Sequence, residues 1–182
     1  MKIETERLVL RDWREGDAEP FERHTNTPAV MQWLGGVKPP EIIREVVTDR
    51  LMRWQEELGF TFWLVERKED CELLGFCGIK MADDPASPVE GEYEIGWRLR
   101  EDAWGQGYAK EAASASLDHL FNAVGAERVV ALTVLGNEPS WGLMERLGMK
   151  RRPDLDYTGP AWAEGEVIVY TLERREWLAR TS

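Results

Sequence analysis

The chain has 182 residues, 43% of them hydrophobic and 31% charged. That describes one domain with material for a full core and excludes a disordered polymer. The net charge of −11 argues against a general nucleic-acid binder, because phosphate contact needs clustered Lys and Arg; it fits a cationic partner such as an amine, and equally plain solubility. No apolar run approaches membrane-spanning length, and the charged opening "MKIETERLVLRDW" lacks the apolar stretch of a secretory signal, so a cytoplasmic protein is expected.

In chain order, Thr5–Trp13 alternates as a strand. Glu15–Asn26 and Pro28–Gly35 read as short helices. From Pro39 to Leu58 the spacing of Ile43, Val47, Leu51, Trp54 and Leu58 predicts one amphipathic helix, stopped by Gly59. Strands are predicted at Thr61–Arg67, Glu72–Met81 and Gly91–Leu99, the last two joined by the Pro-, Asp- and Ser-containing loop Ala82–Gly91. A helix then runs to about Gly125, with Ala113, Leu117, Leu120, Phe121 and Val124 as its core face. Arg128–Leu135 is almost continuously apolar, as a strand covered on both faces would be. A helix at Glu138–Leu147, an extended piece at Met149–Arg152 and a strand at Glu166–Glu173 follow. The pattern is α/β, a single domain over 1–182 with helices flanking a mixed sheet, its core at about 3–172 and 173–182 a C-terminal tail. Cys71 and Cys77 have neither CxxC nor metal-site spacing and read as reduced, structural thiols. His24 and His119, the two histidines, read as surface or satisfied core residues.

The most informative stretch is "WRLREDAWGQGYAKEAA", Trp97–Ala113. A strand passes through a turn containing Gly105 and Gly107 into a helix. Such a helix start leaves N–H groups without partners, glycines let a guest come close to them, and the helix dipole adds positive charge. By itself the pattern fits either a tight turn or a cradle for phosphate. It lacks the third glycine of the dinucleotide fingerprint, and there is neither a GxxxxGK[ST] loop nor a G-x-S-x-G elbow. A second signal lies downstream in "LGNEPSWGLMERLGMKR", where Asn137 can cap a helix that holds Pro139 and Ser140 in its first turn.

Together, "EIGWRLREDAWGQGYAKEA" (Glu94–Ala112) and "NEPSWGLMERLGM" (Asn137–Met149) resemble the GNAT superfamily of N-acetyltransferases. The opening "IETERLVLRDWREGDAEPF" (Ile3–Phe21) resembles its branch of ribosomal-protein N-terminal alanine/serine acetyltransferases. The resemblance implies a single-domain fold with a mixed sheet splayed in the middle. It also implies transfer of acetyl from acetyl-CoA to a primary amine, at a protein N-terminus or on a small molecule, by direct attack in a ternary complex. The family's Arg/Gln-x-x-Gly-x-Gly/Ala motif falls on Trp104, Gly105, Gln106, Gly107, Tyr108 and Ala109, with Trp in the first position. The resemblance gives the main-chain N–H groups of about Gly105–Lys110 the coenzyme A pyrophosphate. It gives the backbone of Trp97, Arg98 and Leu99 the pantetheine arm, and Asn137 the region near the sulfur. Ser140 becomes the acid for the leaving thiolate. Glu94, with Glu92 second, is the expected base; the two stand two apart on the strand predicted at Gly91–Leu99 and so are expected to share a face. No metal is expected, and a homodimer is expected by analogy alone.

The acceptor region is expected at the N-terminal helices and the loops near Ala82–Gly91 and Asp154–Gly165. Trp33, Trp54 and Trp162 would form aromatic walls, and Asp83, Asp84, Asp154 and Asp156 an acidic rim suited to a cation. The rival readings are a catalytically inactive acyl-CoA-binding module and a nucleotide-binding protein using the same glycine turn.

Overall fold

The structure, a computed structural model, describes residues 1–160, 163 and 165–181. Its strands are β1 (Lys2–Glu4), β2 (Leu8–Arg11), β3 (Phe62–Arg67), β4 (Leu73–Met81), β5 (Tyr93–Leu99), β6 (Arg128–Val134), β7 (Lys150–Arg151), β8 (Tyr157–Thr158) and β9 (Glu166–Glu173). Among the described residues they form one nine-stranded mixed sheet in the order β1-β2-β3-β4-β5-β6-β9-β7, with β8 paired to β9. Its helices are α1 (Ala18–Thr25), α2 (Pro28–Met31), α3 (Pro40–Glu45), α4 (Met52–Leu58), α5 (Tyr108–His119), α6 (Glu138–Arg146) and α7 (Arg174–Thr181).

The two faces of the sheet are covered by different parts of the chain, and the period-2 alternation of each strand sorts its side chains between them. Trp63, Val65, Cys77, Ile79, Ile95 and Leu99 point to one side and pack with Ala112, Ala113, Leu117, Leu120 and Phe121 of α5 and its extension. Leu64 and Phe76 point to the other side and pack with Phe21 of α1, Met31 of α2, and Ile43, Val47 and Leu51 of the helix that follows. Phe21 is fully buried, stands edge-on to Trp13 at 5.1 Å and stacks on Phe76 at 5.6 Å. Truncating a phenyl in such a place costs about 3–5 kcal/mol, so the N-terminal helices are fixed to the sheet rather than draped over it.

Several boundaries differ from expectation. The strand read over Thr5–Trp13 is only Leu8–Arg11 (β2), and it pairs with β1 (Lys2–Glu4) in a hairpin that turns at Thr5, whose N–H donates to the Leu8 carbonyl and whose Oγ1 accepts from the Leu8 N–H. The helix expected from Pro39 to Leu58 is continuous in direction, but its middle, Val46–Leu51, is a wide π-type turn. The 4-4 spacing of Ile43, Val47 and Leu51 keeps all three buried through that turn. Leu58 and Val124, both expected in core faces, are exposed. The residues after 173, expected as a tail, form α7, whose Trp177 is buried and donates its Nε1–H to Asp118 at 2.8 Å. Cys77 is free and buried beside Ser116, and burial pushes its thiol pKa up to about 12, so it is inert. Cys71 is free and exposed.

Candidate active site

The site is made by two neighbouring strands that part. β5 and β6 are parallel but joined by a single register pair, Glu94 with Val130, whereas β4 and β5 pair continuously from Gly75–Leu99 to Met81–Tyr93. Beyond Glu94 the open edge of β5 has no strand partner among the described residues. The helices that follow the two strands, α5 and α6, both begin at this splay. Between them lies a cleft of about 660 Å³, lined on one side by Trp97, Leu99, Trp104, Gly105 and Gly107–Lys110, and on the other by Leu132, Thr133, Asn137, Pro139 and Ser140.

The glycine turn is shaped for a guest that touches main chain. Gly105 and Gly107 have φ of +71° and +82°, where a side chain is strained. The first helical bond is donated by Glu111 N–H to the Gly107 carbonyl at 3.0 Å. The N–H groups of Tyr108, Ala109 and Lys110 are thus left open at the positive end of a twelve-residue helix. The turn is braced from the N-terminal hairpin. Arg7 donates from Nη1 to the Gln106 carbonyl at 3.0 Å, pairs with Glu111 at 2.7 Å, and lies over the Tyr108 ring at 4.5 Å. Thr5 Oγ1 donates to Glu111 at 2.5 Å. Arg7, Thr5 and Glu111 were not singled out from the sequence; they are about a hundred residues apart, and no local pattern joins them.

Two motif side chains are used for bracing. The Gln106 amide donates to the Asp102 carbonyl at 2.8 Å, and Gln106 is not among the residues lining the cleft. The Trp104 indole, where the motif has Arg or Gln, donates to the Leu99 carbonyl at 2.9 Å. That carbonyl is therefore already engaged. At the start of α6 the expected side-chain cap is not made. Asn137 instead donates Nδ2–H to Thr133 Oγ1 at 3.1 Å, while its main-chain carbonyl accepts from Ser140 and Trp141. The Ser140 hydroxyl makes no hydrogen bond with the described residues, and Ser140 lines the cleft.

The carboxylates separate. Glu94 lines the cleft at the last point of contact between β5 and β6. Its side chain is 13% exposed and forms an ion pair with Lys80, its cross-strand neighbour, at 3.0 Å. Burial pushes its carboxyl above the ordinary carboxylate range, and Lys80 pulls in the opposite direction. Glu92 lies before β5 begins and is held by Arg128 through both its carboxylate oxygens, outside the cleft lining. The face that the two glutamates were expected to share is therefore not formed.

Of the aromatic walls, Trp33 reaches across the splay. Its indole packs against Gly136, where an added Cβ would meet ring carbons at 2.7 Å, so only glycine admits this contact. Trp54 is elsewhere, beneath Arg50 at 4.9 Å and near Lys80 at 6.0 Å, and does not line the cleft. Trp162 lies outside the described residues. Phe62 and Phe76, stacked at 4.8 Å, supply walls that the sequence reading assigned only to strands. The acidic rim is neutralised from within: Asp83 by Lys80 and Arg50, Asp154 by Arg152, and Asp156 by Arg151. Asp84 accepts from Ala86 N–H and shapes its own turn. No group of three or more His, Cys, Asp or Glu that could hold a metal ion occurs among the described residues.

Residues 7–150 match the family model of the acetyltransferase (GNAT) domain. The chain belongs to the GNAT acetyltransferase family. It is therefore an acetyl-CoA-dependent acyltransferase, and acetyl-CoA is its cosubstrate. This acetyltransferase is 36% identical over 149 residues to YkkB, an uncharacterized protein of Bacillus subtilis, a match covering 81% of this chain and 84% of that one. A GNAT-family acetyltransferase from Bacillus anthracis superposes with a TM-score of 0.77 at 26% identity, covering 97% of this chain and all of the other. The ribosomal-protein-S5-alanine acetyltransferase of Vibrio fischeri superposes with a TM-score of 0.73 over 97% of this chain and 98% of its own; at 16% identity that is a likeness of fold.

Proposed function

We propose that the enzyme acetylates a primary amine by direct attack on the thioester in a ternary complex, with acetyl-CoA in the splay and the acceptor arriving from the side of α1, α2 and Trp33. The observation that carries this reading is the position of Glu94. It is a largely buried carboxylate with a raised pKa, on the cleft wall where the sheet opens and across from the free hydroxyl of Ser140.

The cosubstrate's pyrophosphate is held by the open N–H groups at Tyr108–Lys110 and by the glycine turn, through charge-assisted bonds worth about 1.5–3 kcal/mol each. Its pantetheine arm runs along the unpartnered edge of β5 at Trp97 and Arg98, as an added strand would. Leu99 contributes less than the motif implies, since Trp104 occupies its carbonyl. Asn137 holds the sulfur end.

An amine attacks only without its proton. At pH 7 an α-amine is neutral in roughly one molecule in 5–10, and a lysine amine in roughly one in 2,500. Glu94 accepts that proton, directly or through water, and its raised pKa brings it closer to the working pH. The amine nitrogen bonds to the carbonyl carbon, and a main-chain N–H on the open edge of β5 near Ile95–Trp97 stabilises the oxygen. The carbon–sulfur bond then breaks, and Ser140 supplies the proton to the leaving thiolate.

The test is thiol release from acetyl-CoA over N-terminal peptides, amino acids, polyamines and aminoglycosides. Turnover on an amine with intersecting double-reciprocal lines, the pattern of a ternary complex, supports the reading. Parallel lines or a trapped acetyl-enzyme contradict it.

A further inference from the structure

The acceptor side of the cleft contains a cation that the chemistry above leaves unused. Arg98 follows Glu94 by four residues on β5, so the two project from the same face, and both line the cleft. Its guanidinium sits 5.3 Å from the ring centre of Phe76 and 5.8 Å from that of Phe21. Nε is buried and has no hydrogen-bond partner, and the group makes no ion pair with any described residue. Burial pulls its pKa down to about 10, which still leaves it charged at neutral pH. By contrast, Arg11, Arg100, Arg128, Arg151 and Arg152 are each held by a carboxylate of the same chain.

The two rings, stacked on each other at 5.6 Å, lie to one side of the guanidinium and match none of its N–H donors. Arg98 is half-buried, with Nε sealed off and the two terminal nitrogens open to the cleft, and a partly desolvated cation is stabilised by a partner that reaches it there. The group whose geometry fits a planar fork of donors is a carboxylate. The cosubstrate's phosphates are assigned to the turn beyond the end of β5, which leaves this fork to the acceptor.

We propose that Arg98 binds a carboxylate carried by the acceptor, so that the enzyme's substrate is a primary amine that is also an acid. This rests on the assignment of the amine to Glu94. A strand rises about 3.3 Å per residue, so the two Cα atoms lie about 13 Å apart. The carboxylate is therefore several bonds from the amine, as in an ω-amino acid or an N-terminal residue followed by an acidic one. A polyamine or aminoglycoside would bring further positive charge toward an unpaired cation and is disfavoured, although the net charge of the chain points the other way.

The experiment compares β-alanine, γ-aminobutyrate and 5-aminovalerate with their amides and with spermidine, using wild type, Arg98→Met and Arg98→Lys. In wild type at least one acid should exceed its amide in kcat/KM by about tenfold or more, the value of one charge-assisted pair, and should exceed spermidine as well. Arg98→Met should lose that preference and Arg98→Lys should keep part of it. KM for acetyl-CoA should stay within about twofold, because the main chain that receives the pantetheine is retained. Wild type preferring the amides or spermidine overturns the proposal. So does Arg98→Met keeping the preference, or raising only the KM for acetyl-CoA. Thermal shift of the CoA-loaded protein separates the two readings. If the acids raise Tm in wild type and not in Arg98→Met while no amine is turned over, acetyl transfer to these amines falls and the anion site stands. If spermidine is turned over and no acid raises Tm, the anion site falls and amine transfer stands.

Discussion

The two halves of the cleft are built in different ways. The cosubstrate half is main chain. Three consecutive N–H groups, at Tyr108, Ala109 and Lys110, and two glycines with positive φ stand at the start of one helix, beside one open strand edge. The acceptor half is side chains from separate parts of the fold: Trp33 after α2, Phe62 on β3, Phe76 on β4, and Glu94 and Arg98 on β5. A guest held by backbone is recognised wherever the turn is preserved, since side chains can change around it. A guest held by converging side chains is recognised only by that combination. On the proposed reading, the first half serves a ligand common to the family, and the second is where this enzyme's own acceptor is chosen.

Substitutions should separate the halves, beginning with the largest effect. Glu94→Gln should lower kcat by about 10²- to 10⁴-fold while leaving KM for acetyl-CoA near its wild-type value; equal losses in both would place Glu94 in binding rather than proton transfer. Gly107→Val strains a φ of +82° and sets a side chain against the Arg7 guanidinium that braces the turn, 3.4 Å from its Cβ. It should raise KM for acetyl-CoA by about 100-fold, the loss of one or two charge-assisted bonds, with kcat at saturation little changed. Ser140→Ala should lower kcat by roughly 10- to 100-fold, and an unchanged kcat would remove it from the leaving-group step.

Lys80→Met acts through Glu94. Lys80 favours the ionised carboxylate, so its removal lets the pKa of Glu94 rise further. A base works when deprotonated, and the acidic limb of the pH–rate profile should move to higher pH; a limb that stays put would mean another group titrates there. Trp54→Phe should change every kinetic constant by less than about twofold, since the indole contacts Arg50 and Lys80 rather than the cleft.

The same division explains what was legible in the sequence. The glycine turn with its helix and the start of α6 are each short contiguous stretches, and local chemistry marks them: Gly105 and Gly107 supply conformations that side chains resist, and Pro139 fits a first turn. The strands around the splay could be placed because their apolar periodicity is local too. What could not be read is pairing across distance. Asp83, Asp154 and Asp156 look like an acidic rim as letters, but each is neutralised by an Arg or Lys placed beside it by folding. Glu92 resembles Glu94 until Arg128 claims it. Arg98 offers only its backbone to the sequence reading, and only the fold, which sets its guanidinium beside the Phe21–Phe76 stack with Nε unpartnered, shows that its side chain lacks a carboxylate. The π-type turn between α3 and α4 and the docking of α7 are likewise consequences of packing rather than of propensity.

The most direct measurement of the central claim is amide-resolved NMR of the protein titrated with coenzyme A. The account predicts that the N–H resonances of Gly105–Lys110, together with those of Trp97 and Arg98 on the open edge of β5, shift to saturation at one common dissociation constant. Shifts confined to other parts of the molecule, with these amides unmoved at saturating coenzyme A, would contradict it.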